Sequence, residues 1–451
     1  MSSDDLFPRR VTRLAWKDPA RAIVQLWLHL RIQGNLEKGF ERAACESQAE
    51  QGLRALKNGD DLPPMHPAGA LRAVDSYLAF LDSGHETHTR RVDEKTPEVD
   101  AFWLVPRRGG WNSRIADSQA GHIEFWLRHY QVVPVSHRGI RIGVTRPRRS
   151  LSKSRDNMIF LTGGFTDGVQ PQWNDASPYH CLVLTDANAR WQSVESLLTK
   201  AAECGASIVV LPELTVDADV RERLCAWLRE KRQRSPFDLI VAGSFHEESG
   251  DARRNVAHVY DDFGDEVIQH VKLRPMRAMP GGIEMDEKVT GSSEVSMIEA
   301  WFGLIGVAIC LDFCESGDTP VTDLWRAAGP ALMLVPSMGT ETTNDAHGRK
   351  ARELAIQHAT ITVVASQHPE GIAALGLIWE GKNAREAGPI LEGVLGVDES
   401  LNNSIQLPCE CSGCFRSPGK WARRVAGSLP GRLRDPASPT RGTAPRAPQG
   451  D

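Results

Sequence analysis

Apolar residues recur at three- and four-residue spacing through ARAIVQLWLHLRIQGNLEKGFERAACESQ and again through PAGALRAVDSYLAFLDSG. That spacing predicts amphipathic helices. NSRIADSQAGHIEFWLRHY is a third helical candidate, with Asn112 or Ser113 available as its N-cap. From about residue 158 the pattern changes. Short aliphatic runs (CLVLT, ASIVVLPEL, DLIVAGSF, FGLIGVAIC, ALMLVPSM, ITVVASQ) alternate with helical stretches such as ARWQSVESLLTKAAECG. Strands alternating with helices predict an α/β architecture. DDFG, at 261–264, sits between NVAHVY and EVIQHVKL and predicts a hairpin.

These patterns divide the chain into a helical N-terminal region at 1–137, a basic linker with lead-in strands at 138–177, an α/β domain at 178–403, and a tail at 404–451. The linker is anchored on RGIRIGVTRPRRSLSKSRDN, basic and serine-rich. The tail is rich in Pro, Gly and Arg and reads as disordered. The N-terminal region carries no chemical constellation and reads as a packing or partner-binding module.

Composition narrows the function classes. The chain has 451 residues, 41% hydrophobic and 25% charged, with a net charge of −5. Nothing in that balance draws it as a whole toward nucleic acid or an anionic membrane. No apolar run approaches the roughly 20 residues of a membrane span, and MSSDDLFPRR lacks an apolar signal core. The expectation is a cytoplasmic protein. Its nine cysteines, without framework spacing, then read as free thiols.

Three candidate residues stand at predicted strand ends. Glu213 follows ASIVVLP, where a partly desolvated carboxylate suits a general base. Lys272 closes VIQHVK, where a fixed positive charge could stabilise an oxyanion or a thiolate. Cys310 ends LIGVAIC just before the turn LDFCESGD, which leaves backbone amides free to donate beside a nucleophile. Cys314 is the alternative thiol. GLIWEGKN, at 376–383, approaches a phosphate loop, but Asn383 replaces the magnesium-binding hydroxyl. CECSGC, from Cys409 to Cys414, lacks a fourth ligand for a metal.

Taken in order, LPELT, HVKLRP and ICLDF resemble the nitrilase, or carbon–nitrogen hydrolase, superfamily. ALMLVPSMG, GRKARELAIQHATITVVASQ and GVLGVDESL are similar to its later elements, and the resemblance covers about residues 178–400. It implies a four-layer αββα sandwich and a cysteine-dependent hydrolase of non-peptide carbon–nitrogen bonds, with no metal and no organic cofactor. Carried over, Cys310 is the nucleophile, Glu213 the general base and Lys272 the oxyanion stabiliser, with the backbone N–H of Leu311 as second oxyanion donor. A further family glutamate matches Glu284, with Glu287 the alternative, and Asp312 shapes the turn. Leu311 and Asp312 stand where nitrilases carry tryptophan and glutamate, which favours the amidase side and a small amide substrate. The resemblance further implies a homodimer or larger assembly. The competing readings are a catalytically silent nitrilase-like module used for binding or assembly, and acyl transfer to an amine.

Overall fold

The computed structural model describes residues 3–33, 42–83, 88–96, 99–107, 127–148, 151, 160–162, 164–165, 167–173, 180–203, 205–231, 237–278, 285–358, 360–367, 375–380 and 388–394. All of these lie within one unit, Met1–Gln406.

The helical periodicity of the N-terminus produces α1 (Ser3–Lys17), α2 (Pro19–Gln33), α3 (Arg42–Asn58) and α4 (Pro67–Leu81). Helix α4 starts where Pro67 presets the first turn and His66 Nδ1 accepts the Ala68 N–H at 3.2 Å. The region is not helical throughout, however. It continues into β1 (Arg90–Asp93), β2 (Ala101–Pro106) and β3 (Tyr130–Pro134), an antiparallel sheet in that order. Residues AFWLVP and YQVVP are largely buried apolar runs, which periodicity alone does not tell from helix. Of the third helical candidate, residues 112–126 lie outside the described residues, and its last residue, Tyr130, opens β3. Buried Asp75 of α4 accepts the backbone N–H groups of Arg128, His129 and Tyr130 and so ties the helix to this sheet.

The chain then runs through β4 (Ser136–His137), β5 (Ile140–Thr145), β6 (Phe160–Thr162), β7 (Pro171–Trp173), β8 (Cys181–Leu184), α5 (Ala187–Glu203), β9 (Ile208–Val210), α6 (Ala218–Lys231), β10 (Leu239–Ser249), β11 (Ala252–Tyr260) and β12 (Glu266–Val271). The short β13 (Arg277–Ala278) and β14 (Met285–Asp286) precede β15 (Glu294–Ala300), β16 (Gly303–Val307), α7 (Leu311–Cys314), α8 (Pro320–Ala328), β17 (Leu332–Met338), α9 (Glu341–His358), β18 (Ile361–Gln367), β19 (Leu375–Glu380) and β20 (Gly388–Val394).

Two sheets carry the site. One has the order β12-β11-β10-β9-β6; the other is β20-β19-β18-β17-β16-β15-β5-β4. Their faces meet: β9 and β10 pack on β17, and β12 on β15. Gln367 clamps them with its side-chain amide, which accepts the Phe165 N–H at 2.7 Å and donates to the Phe165 carbonyl at 3.0 Å. Residues of α5 and α6 join a core with β9 and β10, while α8 and α9 join one with β16 and β17. The α/β class expected from the alternation is therefore present.

Strand β5 lies in the segment 138–177, read from the sequence as a basic linker with lead-in strands. It is an interior strand of the larger sheet, parallel to β15, and Ile140 and Ile142 are buried on either side of exposed Arg141. The basic residues had hidden a period-two pattern. Residues 152–159 of that segment lie outside the described residues, as do the tail, CECSGC and residues 381–383 of GLIWEGKN. The DDFG hairpin is present: Asp261 Oδ1 accepts the Phe263 and Asp265 N–H groups, and Gly264 takes φ +71°. Among the described residues no helix is long and apolar enough to cross a membrane.

Candidate active site

Glu213, Lys272 and Cys310 follow β9, β12 and β16, and all three side chains are buried. The Glu213 loop is braced by a parallel bridge to Ser244 and by Leu214 in the left-handed region at φ 57°. Beyond β16 the chain keeps bonding to β17 as far as Cys310, whose N–H donates to the Pro336 carbonyl at 2.9 Å. There it turns sharply, with Cys310 at φ 46° and ψ −105°. A non-glycine residue in that conformation is strained and persists only where its surroundings hold it.

The hold on this turn is visible. Buried Asp312 accepts the N–H groups of Leu273 at 2.8 Å and Arg274 at 3.1 Å, immediately after Lys272. Its carbonyl accepts the Trp325 Nε1–H at 2.7 Å. Asp312 thus couples the cysteine turn to the lysine loop, the shaping role expected for it.

Lys272 Nζ donates to Glu213 Oε1 and to Glu287 Oε2, both at 2.9 Å. Asn255 Nδ2 also bridges the two carboxylates, reaching Glu213 Oε1 at 2.9 Å and Glu287 Oε1 at 3.0 Å. Glu287 further accepts the Met276 N–H at 2.8 Å and faces His246 Nε2 at 2.9 Å. Glu213 Oε2 accepts the Met338 N–H at 3.0 Å. The carbonyl of Met338 lies 3.6 Å from Cys310 Sγ, and the Ser337 hydroxyl donates to that sulfur at 3.4 Å.

The charges follow from these neighbours. Burial alone would lower the Lys272 pKa, but Glu213 and Glu287 together raise it well above the ordinary range, so it is an ammonium. Burial likewise pushes Glu287 up, yet Lys272 and His246 hold it well below the usual carboxylate range. The Cys310 thiol is pushed well up, first by burial and then by the Glu213 carboxylate, with Lys272 opposing. The resting sulfur therefore keeps its proton and needs a base to lose it. Cys314 lies half-buried on α7, pushed up to about 11, mainly by burial.

Glu284 lies outside the described residues. Glu287, weighed against it in the sequence, is the acid that meets Lys272. Sequence reasoning missed Asn255 and His246. They are direct cross-strand partners on β10 and β11, both buried, and the one available signal was a polar residue at an inward strand position. Glu287 also lines a polar cleft of about 600 Å³ with Glu248, Asp251, Arg253, Asp286 and Lys288. Among the described residues no group of three or more His, Cys, Asp or Glu side chains is placed to hold a metal ion.

No family model matches the chain, and no curated protein matches it. Among solved structures it is similar to an amidase from Nesterenkonia sp. AN1. A doubly substituted form in complex with acrylamide is 17% identical, with a TM-score of 0.40 over 61% of this chain and 99% of that one. A singly substituted form, described as from the nitrilase superfamily, is 16% identical, with a TM-score of 0.39 over 62% of this chain and 98% of that one. The C. elegans NitFhit protein is 17% identical, with a TM-score of 0.36 over 53% of this chain and 58% of that one.

Proposed function

We propose that the chain is a cysteine-dependent carbon–nitrogen hydrolase of the nitrilase type, built as an αββα sandwich and acting on a small amide. One observation carries this: a buried ammonium is held between two carboxylates beside a strained cysteine, and among the described residues' donors only one of the two carboxylates keeps an open acceptor position. A carboxylate offers about four acceptor positions. Glu287 fills them with Lys272, Asn255, His246 and Met276. Among the described residues Glu213 has three donors and one position left, on the oxygen that accepts the Met338 N–H, and the carbonyl of that same residue faces Cys310. Glu213 is therefore the general base.

In the proposed reaction Glu213 takes the Cys310 proton and the thiolate attacks the amide carbon. Two of the three Lys272 N–H bonds are spent on the carboxylates, and the third donates to the oxyanion. Leu311 opens α7, where its N–H has no intrahelical acceptor, and supplies the second donor. Glu213 gives its proton to the departing nitrogen as the carbon–nitrogen bond breaks, leaving a thioester. It then takes a proton from water. The resulting hydroxide displaces the sulfur, the acid leaves, and the proton returns to Cys310. Glu287 keeps Lys272 charged and aimed. Self-association and a protein partner for the N-terminal region belong to the same proposal.

The test is mass spectrometry of a metabolite extract incubated with the wild-type chain and with Cys310→Ala. An amide converted to its acid by wild type alone is the expected result. Conversion by both proteins would overturn the mechanism.

A further inference from the structure

We infer that His246 is a positioning residue for the proposed reaction, acting through Glu287: held as the neutral tautomer with its proton on Nε2, it donates to the second carboxylate and so keeps Glu213 available as the base. The inference rests on the mechanism proposed above and adds to it a residue outside the Glu-Lys-Cys set.

The tautomer follows from the partners of the ring. His246 Nδ1 accepts the backbone N–H of Cys181 at 3.0 Å, so that nitrogen carries no proton. The remaining proton sits on Nε2, 2.9 Å from Glu287 Oε1, and is donated to it. A second proton on Nδ1 would set donor against donor at Cys181. The ring is fully buried, packed edge-on against Trp173 with centroids 6.4 Å apart. Strands β7 and β8 therefore supply both the hydrogen bond that fixes the tautomer and the aromatic wall that fixes the ring plane.

The consequence is a matter of counting donors. Remove the His246 donor, and one acceptor position of buried Glu287 opens to a proton. Once protonated, Glu287 no longer shares Lys272, and the ammonium pairs with Glu213 alone. Glu213 then becomes a weaker base toward the thiol. Among the described residues, the ionisable groups that act on this cluster are Lys272 after β12, Glu213 after β9, Cys310 after β16, Asp217 and Cys181, with His180, Arg253, Lys288 and Glu248 on its outer side. None of them replaces the missing donor to Glu287 Oε1.

The test needs no substrate. Alkylation of Cys310 by iodoacetamide, read by peptide mass spectrometry against pH, reports how readily the thiol gives up its proton. In His246→Leu alkylation should slow about tenfold over the pH range in which Glu213 is ionised and the thiol protonated, the loss expected from a base about one pH unit weaker. His246→Gln, which keeps a donor toward Glu287 and an acceptor toward Cys181, should restore most of the wild-type profile. A rate unchanged in His246→Leu, or slowed equally in both variants, overturns the inference. Should His246→Leu not fold, the nitrogen shifts of His246 in selectively labelled wild-type protein decide. The Nε2–H tautomer at neutral pH is expected; the Nδ1–H form or an imidazolium overturns the inference. Glu213→Gln separates the two claims. A wild-type alkylation profile in that variant overturns the base assignment of the proposed mechanism, while the tautomer measurement still judges His246 by itself.

Discussion

Replacing Lys272 by methionine leaves two buried carboxylates facing each other without the cation between them. The Glu213 and Glu287 side chains are 3% and 2% exposed, and each lies 2.9 Å from the lysine nitrogen. Methionine fills nearly the same volume as the lysine stem, so packing changes account for less than about 1.5 kcal/mol. Stripping a buried ion pair of one partner costs about 3–5 kcal/mol, and here two anions are stranded together. Electrostatics therefore dominates. The variant also has a distinctive pH response. With the ammonium gone, one carboxylate of the pair holds a proton above its unfolded value of roughly 4.3. The folded state then binds more protons than the unfolded chain, so the variant regains stability as pH falls, by up to about 1.4 kcal/mol per unit. Urea unfolding of wild type and Lys272→Met at about pH 8 and about pH 5.5 measures this. Because wild type is followed in parallel, every other titrating group cancels. The deficit should be about 3–5 kcal/mol at the higher pH and smaller by about 2–3 kcal/mol at the lower. A deficit under about 1 kcal/mol, or one that does not change with pH, would refute the buried arrangement of two anions around one cation.

Two further predictions concern the turns that hold the site. His347, stacked on Phe313 beneath the cysteine turn, is pushed down to about 4 by burial, against the opposing pull of the Thr343 and Cys310 carbonyls. Its folded value lies below the unfolded one, so its contribution is intact above about pH 6.5 and is lost as pH falls toward 4, by about 3 kcal/mol in all. His347→Gln should flatten that part of the urea-midpoint profile; parallel profiles would count against the assignment. Gly243 has φ +66°, and a Cβ there would lie 2.2 Å from the Pro212 carbonyl, in the loop that delivers Glu213. Gly243→Ala should cost about 2–4 kcal/mol in urea unfolding and slow Cys310 alkylation, whereas a variant equal to wild type in both would show that the loop yields freely.

The amino-acid sequence by itself determined the α/β alternation and the three strand ends that carry Glu213, Lys272 and Cys310. These are local properties: an apolar run, its β-branched content and the residue that breaks it are all set within about ten positions. The tertiary structure decided the rest. Ile140–Thr145 became an interior strand because β15 lay open to pair with it, an outcome its arginines concealed. Of the acids in IEMDE, Glu287 is the described one that turns inward, set by the pairing of β14 with β13 and the bond from the Met276 N–H. His246 meets Asn255 only through a register that follows a shift between Val241 and Ser244. Each of these contacts joins residues from different strands. Register and sheet packing create them, and no short stretch of sequence contains that information.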